Sequence, residues 1–146
     1  MEYWIRFERK DHAESSAAFD EAEFNLCFGL EPMRQKEFDY FIKSFLEKLY
    51  KGKARYLSIG YNPHRPDGVS AIQMYRPHVL ENDCSVEIVV DSDNPRGFTI
   101  YCRKQQTLEE AINWFRKVLV DYERPNLSDW IDITDICSYV DVNGDQ

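Results

Sequence analysis

The stretch SVEIVVDSDNPRGFTIYCRKQQTLEEAINWFRKVL, residues 85–119, decides the fold because its apolar residues change from a two-residue to a helical period. The first part holds two alternating apolar runs, which predict strands over residues 84–91 and 97–103. The Asp, Asn and Pro of residues 92–96 end strand ladders and favour a turn. The stretch therefore begins with an antiparallel hairpin.

The register of this hairpin bears on two of the cysteines. We expect Asp91 to lie opposite Gly97. Val86 then faces Cys102, which leaves Cys84 as a diagonal neighbour only. A disulfide between the two cysteines is not expected, since the bond requires a short distance between their Cα atoms.

The second part of the stretch predicts a helix that begins after Thr107. The Thr107 hydroxyl can accept a hydrogen bond from the Glu110 amide while the Glu110 carboxylate reaches back, which is a capping box. Pro125 ends this helix, because proline cannot donate a backbone hydrogen bond. The predicted inner face consists of Leu108, Ala111, Ile112, Phe115, Leu119 and Tyr122.

An earlier segment, residues 32–51, also has the helical period. Its apolar residues repeat at intervals of three and one, so they lie on one face of a helix. Pro32 suits the first turn and Gly52 suits the C-terminal cap. The residues of the apolar face are Phe38, Phe41, Ile42, Phe45, Leu46 and Leu49.

Further segments alternate with the period of a strand. They are residues 3–7, 24–30, 55–61 and 69–75, and shorter strand-like pieces follow in residues 130–140. Because most of these strands are joined by short turns, an antiparallel arrangement is favoured. We predict a single α+β domain over residues 1–146, with a mainly antiparallel sheet of about six strands and two amphipathic helices packed on one face as a second layer.

The composition is typical of one domain with its own hydrophobic core. A chain of 146 residues, 43% of them hydrophobic, buries roughly 70% of its unfolded surface. The N-terminus lacks the pattern of a signal peptide, and no apolar run has the length of a membrane span. The cysteines form no CxxC pair, which favours a reducing compartment, and we expect a cytoplasmic protein. They are Cys27, Cys84, Cys102 and Cys137.

The charge is concentrated at the C-terminal end. The chain has 18 basic and 26 acidic residues, a net charge of −8, and residues 129–146 contribute five aspartates and no Lys or Arg. This balance argues against binding to nucleic acids or anionic membranes, which requires clustered cations. The segment contains too many apolar residues for a disordered acidic tail, so we expect it to dock on the core up to about residue 140 with its aspartates outward.

Carboxylates interspersed with large aromatic rings are typical of a protein contact surface. The predicted centre of the contact consists of Trp130, Asp132, Asp135, Tyr139 and Asp141. A competing acidic patch consists of Glu81, Asp83, Asp91 and Asp93.

Motifs for catalysis, metals and cofactors do not match. The terminal DVNGDQ has Gly144 in the fourth position and lacks the later glutamate of a calcium loop. Phosphate-binding glycine loops, zinc motifs and a serine nucleophile elbow are also lacking. We therefore predict no catalytic residue, no metal and no cofactor.

In broad organisation the chain resembles the small acidic immunity proteins that bacteria make against their own secreted nuclease toxins, without a family motif that assigns a site residue. This resemblance implies a non-enzymatic inhibitor of a basic protein such as a nuclease toxin domain. The alternative is a small ligand-binding or enzymatic domain that uses the loop around His64, in residues 61–68, and the open face of the sheet. We favour an ordinary hairpin connection for this loop.

Overall fold

The computed structural model describes residues 2–9, 32–51, 54–62, 65–75 and 84–135, and the structural statements below concern these residues. They form an antiparallel sheet whose strands are adjacent in the order in which they occur along the chain. The strands are β1 (Glu2–Arg9), β2 (Ala54–Asn62), β3 (Val69–Tyr75), β4 (Ser85–Asp91), β5 (Phe98–Arg103) and the two-residue β6 (Ile131–Asp132).

The predicted strands over residues 55–61, 69–75, 84–91 and 97–103 correspond to β2 to β5, with β3 matching at both ends. The predicted strand over residues 24–30 lies outside the described residues.

The predicted hairpin forms, but its register was wrong by one residue. Asp91 pairs with Phe98 instead of Gly97, and Val86 pairs with Arg103. Gly97 belongs to the turn, where it has a φ of 82° and its carbonyl accepts a hydrogen bond from the Ser92 amide. The positive φ is a conformation that glycine adopts without steric cost, so the turn is one residue longer than expected.

The corrected register increases the separation of the two cysteines near the hairpin. Cys102 lies opposite Glu87, and Cys84 precedes β4 and accepts a hydrogen bond from the Gln106 amide at its carbonyl. Both cysteine side chains are buried.

The first helix, α1, is continuous but changes its hydrogen-bonding pattern. It consists of an α-helical turn (Gln35–Glu37), a π-helical segment (Phe38–Ile42) and an α-helix (Lys43–Tyr50). The predicted start at Pro32 was wrong, since the helix begins after Arg34, whose amide donates to the Glu37 carboxylate. The predicted cap at Gly52 lies outside the described residues.

The second helix, α2 (Leu108–Leu119), begins as the sequence predicts. The Thr107 hydroxyl accepts from the Glu110 amide at 3.1 Å, and the Glu110 carboxylate accepts from the Thr107 amide at 2.8 Å. This capping box satisfies two backbone donors at the helix start. The helix ends before Pro125, and Tyr122 turns the chain with a φ of 58°.

The apolar faces of both helices are buried in one core cluster with strand residues from one side of the sheet. Ile59, Ile72 and Ile88 lie opposite one another across β2, β3 and β4, which shows that they share this side. The chain therefore has an α+β fold. Buried members of the cluster include Tyr3, Ile5, Phe38, Ile42, Leu46, Leu49, Leu57, Met74, Val86, Ala111, Phe115, Val118 and Leu119.

Candidate functional site

The acidic C-terminal segment is attached to the sheet through Trp130 and β6. The Trp130 ring is 6% exposed and packs edge to face on Trp114 with 4.9 Å between ring centroids. Trp114 is held in turn by its indole N–H, which donates to the Gln106 side-chain oxygen at 2.9 Å. Arg103 lies over both indole rings, 5.7 and 5.8 Å from their centroids. The aromatic pair fixes the position at which the chain enters β6.

Asp132 is held in place by a hydrogen-bonded turn. Its Oδ1 atom accepts from the Thr134 hydroxyl at 2.6 Å and from the Thr134 amide at 2.9 Å. The Thr134 hydroxyl oxygen also accepts from the buried Ile100 amide on β5 at 2.9 Å. The hydrogen bond from the Thr134 hydroxyl, and to a smaller extent the one from the Thr134 amide, lowers the pKa of Asp132 below its ordinary value of 3.8. The carboxylate is therefore charged and fixed at the exposed side of β6.

The end of β4 and the turn that follows it present two more carboxylates. Asp91, the last residue of β4, and Asp93 in the turn are both exposed. Asn94 organises this turn, because its side-chain oxygen accepts from the amides of Arg96 and Gly97 at 3.0 and 2.9 Å. Its side-chain amide donates to the Phe98 carbonyl at 2.7 Å. The local sequence therefore gives the turn a defined frame.

Two stretches that are distant in sequence meet at this end of the sheet. Arg96 Nε lies 3.6 Å from Asp135 Oδ1, so the β4–β5 turn is adjacent to the segment that follows β6. We call the four exposed carboxylates of Asp91, Asp93, Asp132 and Asp135 the acidic edge. Arg96 is a cation among them.

The structure changes the relation between the predicted contact residues. Asp93, assigned to a competing patch, lies on the turn whose Arg96 contacts Asp135, and Asp91 is the last strand residue before that turn, so this part of the patch is adjacent to the C-terminal segment. Trp130 is buried under β6 and supports the edge from within, since its ring has little surface to offer a partner. Glu81, Asp83, Tyr139 and Asp141 lie outside the described residues.

Ile131 is an exposed apolar residue that the sequence pattern did not distinguish. It was expected to dock with the other apolar residues of the segment, yet 53% of its surface is exposed. It precedes Asp132 on β6, where successive side chains point to opposite sides, so the segment that carries Asp132 also exposes one large aliphatic side chain. Ile131 is exposed because β6 is a two-residue strand at the end of the described sheet, with a neighbouring strand on one side only.

The described part of the loop around His64, residues 65–68, is organised by a buried arginine. Arg65 is 2% exposed, donates to the Val118 carbonyl at 2.7 Å and pairs with Asp67 at 2.6 Å. Its guanidinium lies over the Tyr122 ring, 3.8 Å from the centroid, and near the Tyr61 ring at 5.0 Å. These contacts tie the loop to the end of α2. His64 itself lies outside the described residues.

The side of the sheet opposite the helices carries a row of buried polar side chains. The Ser58 hydroxyl donates to the Gln73 side-chain oxygen at 3.1 Å, and the Gln73 amide donates to Glu87 Oε1 at 2.9 Å. Burial raises the pKa of Glu87 above its ordinary value of 4.5, and the Gln73 hydrogen bond opposes this rise. The sequence did not identify these residues as a site. Polar residues that alternate with apolar ones along a strand are typical of an ordinary solvent-facing side, and no catalytic motif includes them.

Other chemistry has little support in the described part of the chain. Among those residues, no group of three or more His, Cys, Asp or Glu side chains is placed to hold a metal ion. The helices described here are all too short or too polar to cross a membrane. Comparisons with protein-family models, with curated proteins and with solved structures find no significant match to this chain.

Proposed function

We propose that this protein is an inhibitor that binds a basic protein partner through the acidic edge. The observation that carries the proposal is the contact between Arg96 and Asp135, which brings the acidic turn after β4 and the acidic segment after β6 to one margin of the sheet. Four exposed carboxylates from the two segments face solvent there. A surface with one dominant sign of charge accelerates the encounter with a partner of opposite sign.

The chemistry of the edge fits a protein partner. Asp132 is held by the Thr134 hydrogen bonds, so little of its freedom is lost when a cationic side chain binds. Ile131, the preceding residue of β6, exposes apolar surface from the other side of the strand, which gives the C-terminal segment an aliphatic contact as well. Tyr139, Asp141, Glu81 and Asp83 complete the proposed contact surface.

The specific role that we propose is that of a cytoplasmic immunity protein which blocks a cognate bacterial nuclease toxin. Nucleases that act on phosphates have basic substrate sites, and a row of carboxylates can occupy such a site in place of the nucleic acid. In this proposal the chain is a single two-layer domain, has no catalytic activity and binds neither nucleic acids nor membranes. The net charge of −8 supports it.

Capture of the partner tests this function. We would immobilise the wild-type protein, expose it to a lysate of the source organism and elute with increasing salt. The matched comparison is a variant with Asp91, Asp93, Asp132 and Asp135 all changed to Asn. Asparagine keeps the acceptor oxygen that the Thr134 turn requires, so this variant removes charge while it preserves the Asp132 hydrogen bonds.

The control variant removes the same charge elsewhere. It neutralises four exposed carboxylates of the helices and of the segment after α2, by the substitutions Asp39→Asn, Glu47→Gln, Asp121→Asn and Glu123→Gln. We expect wild type and control to retain one stoichiometric basic protein with nuclease activity that the bound inhibitor abolishes. Equal capture by the acidic-edge variant would contradict the assigned surface, and the absence of any basic protein would contradict the function.

The alternative, a ligand-binding or enzymatic domain, is favoured by one observation, the buried row of Ser58, Gln73 and Glu87. A carboxyl group with a raised pKa among convergent polar groups is typical of functional sites as well as of structural networks. A metabolite screen by thermal shift, repeated with Glu87→Gln, tests this alternative. A ligand that stabilises the wild type but not the variant would support it.

A further inference from the structure

A groove between the two helices has a character opposite to that of the acidic edge. It has a volume of about 460 Å³, within the range of small-molecule sites of roughly 300 to 1,000 Å³. Its lining residues are Lys43 from α1 and Leu108, Glu109, Ile112, Asn113 and Arg116 from α2. In a chain with a net charge of −8, two cations therefore line one concave surface together with a single carboxylate, that of the exposed Glu109.

The two cations of the groove are available to an anion. Within the part of the chain that the structure describes, no ion pair joins Lys43 or Arg116 to a carboxylate. Arg116 donates to the Asn113 side-chain oxygen at 3.2 Å, and its guanidinium lies 6.0 Å from the centroid of the Phe38 ring. These contacts orient the guanidinium without neutralising it. Its planar set of donors matches the two oxygens of a carboxylate.

The rest of the lining is suited to an apolar body. Leu108 and Ile112 lie one helical turn apart on α2, which gives a continuous aliphatic surface that ends at Arg116 one turn further on. Both aliphatic side chains are partly exposed although they pack against the core. Lys43 begins the α-helical part of α1 directly after the π-helical segment and approaches this surface from the opposite side.

We propose that this groove binds a small amphipathic carboxylate, with the carboxylate between Lys43 and Arg116 and the hydrocarbon on Leu108 and Ile112. The site is independent of the acidic edge, and the proposal does not rest on the inhibitor function. Octanoate is the probe, because its length and single charge match this division of the lining. A half-buried pair of cations and a short hydrocarbon chain together give a dissociation constant in the millimolar range.

The experiment is a titration of isotope-labelled protein with octanoate, followed by the NMR signals of the Ile112 backbone amide and the Asn113 side-chain amide. We expect saturable shifts at both. Lys43→Gln and Arg116→Gln should each weaken binding by about threefold, and the double variant by about tenfold. Lys43→Gln is the cleaner test, since the Lys43 side chain makes no hydrogen bond or ion pair with the described residues and the variant should fold as the wild type does.

Controls separate the site from general attraction of anions to lysines. Lys51→Gln and Lys117→Gln remove exposed cations outside the groove lining and should leave the octanoate affinity unchanged. Octylamine, which has the same hydrocarbon and the opposite charge, should not produce saturable shifts. Equal binding of octylamine, equal loss of affinity in the control variants, or shifts that do not saturate would each overturn the proposal.

Discussion

Arg96 and Asp135 form an ion pair that joins the β4–β5 turn to the segment after β6, with 3.6 Å between Arg96 Nε and Asp135 Oδ1. The Asp135 side chain is 91% exposed, so the pair lies in water and adds little to the free energy of unfolding. The pair matters because of the two segments that it brings together. Two acidic segments that are remote in sequence share one end of the sheet, and Arg96 of the first contacts Asp135 of the second.

Replacing Arg96 by Gln should therefore affect association more than stability. We expect a change in the free energy of unfolding of less than about 0.5 kcal/mol, because an exposed pair is lost. Association with the basic partner should become about two- to threefold faster at low salt, since one repelling charge is removed from the edge. Stopped-flow measurements at two ionic strengths check this. Lys117→Gln, which breaks an exposed pair with Glu123, is the matched control, and slower association of Arg96→Gln would contradict it.

Thr134→Val should destabilise the protein and release Asp132. The substitution removes the hydroxyl that donates to Asp132 and accepts from the Ile100 amide, which is then buried without that partner. We expect a loss of about 1 to 3 kcal/mol in the free energy of unfolding, measured with denaturant. Thr134→Ser keeps the hydroxyl and should retain most of the stability. Similar losses in both variants would show that the Thr134 methyl group matters more than the hydrogen bonds.

The same residue sets a pH dependence at the acidic edge. Because the folded-state pKa of Asp132 is lowered, its contribution to stability is present above the ordinary value of 3.8 and is lost as pH falls through the folded pKa. In Thr134→Val the pKa of Asp132 should rise towards its ordinary value. An NMR titration of the Asp132 carboxyl carbon measures this, and an unchanged midpoint would show that Thr134 is not the cause.

Local sequence signals predicted the parts of the fold that local chemistry controls. The Thr107 capping box, the bounds of β3 and the hairpin turn depend on neighbouring residues, and the structure has each of them. The predicted register of the hairpin was wrong by one residue, because the sequence pattern does not show that Gly97 belongs to the turn. The π-helical segment of α1 was also not predicted, because it leaves the spacing of the apolar residues nearly unchanged.

The candidate site depended on contacts between distant parts of the chain. Trp130 and Arg65 are side chains that often lie at surfaces, and only their packing on Trp114 and Tyr122 shows that they are buried. The proximity of the β4–β5 turn to the C-terminal segment follows from the pairing of β5 with β6, two strands that are separated in sequence by the whole of α2. Such long-range pairing leaves no mark in the local sequence pattern.

Arg65→Met should be among the most destabilising single substitutions in the chain. It removes a buried cation that pairs with Asp67, donates to the Val118 carbonyl and lies over the Tyr122 ring. We expect a loss of about 3 to 5 kcal/mol, as for other broken buried pairs. Arg124→Met is the control, because exposed Arg124 donates to the Asp67 carbonyl in the same loop and should cost less than about 1.5 kcal/mol. Equal losses would mean that the loop, not the buried guanidinium, determines stability.

Glu87→Gln should stabilise the protein at neutral pH. Burial raises the pKa of Glu87 in the folded state, so the charged form is disfavoured there relative to the unfolded chain. The stability associated with Glu87 is therefore fully present below its ordinary pKa of 4.5 and is lost as pH rises through the folded pKa. Glutamine has no proton to lose and still accepts from Gln73, so we expect the free energy of unfolding at pH 7 to increase.

The pH dependence separates this explanation from a simple change in packing. The difference in the free energy of unfolding between Glu87→Gln and the wild type should be smallest near pH 4 and grow with pH until Glu87 is ionised in the folded state. Denaturant unfolding at several pH values measures it. Gln73→Leu is the companion variant, because it removes the donor to Glu87 and should raise the pKa of that carboxyl further, while it also leaves the Ser58 hydroxyl without its acceptor. A Glu87→Gln difference that does not vary with pH would show that the carboxyl does not titrate between the two states, and the buried row would then contribute through packing alone.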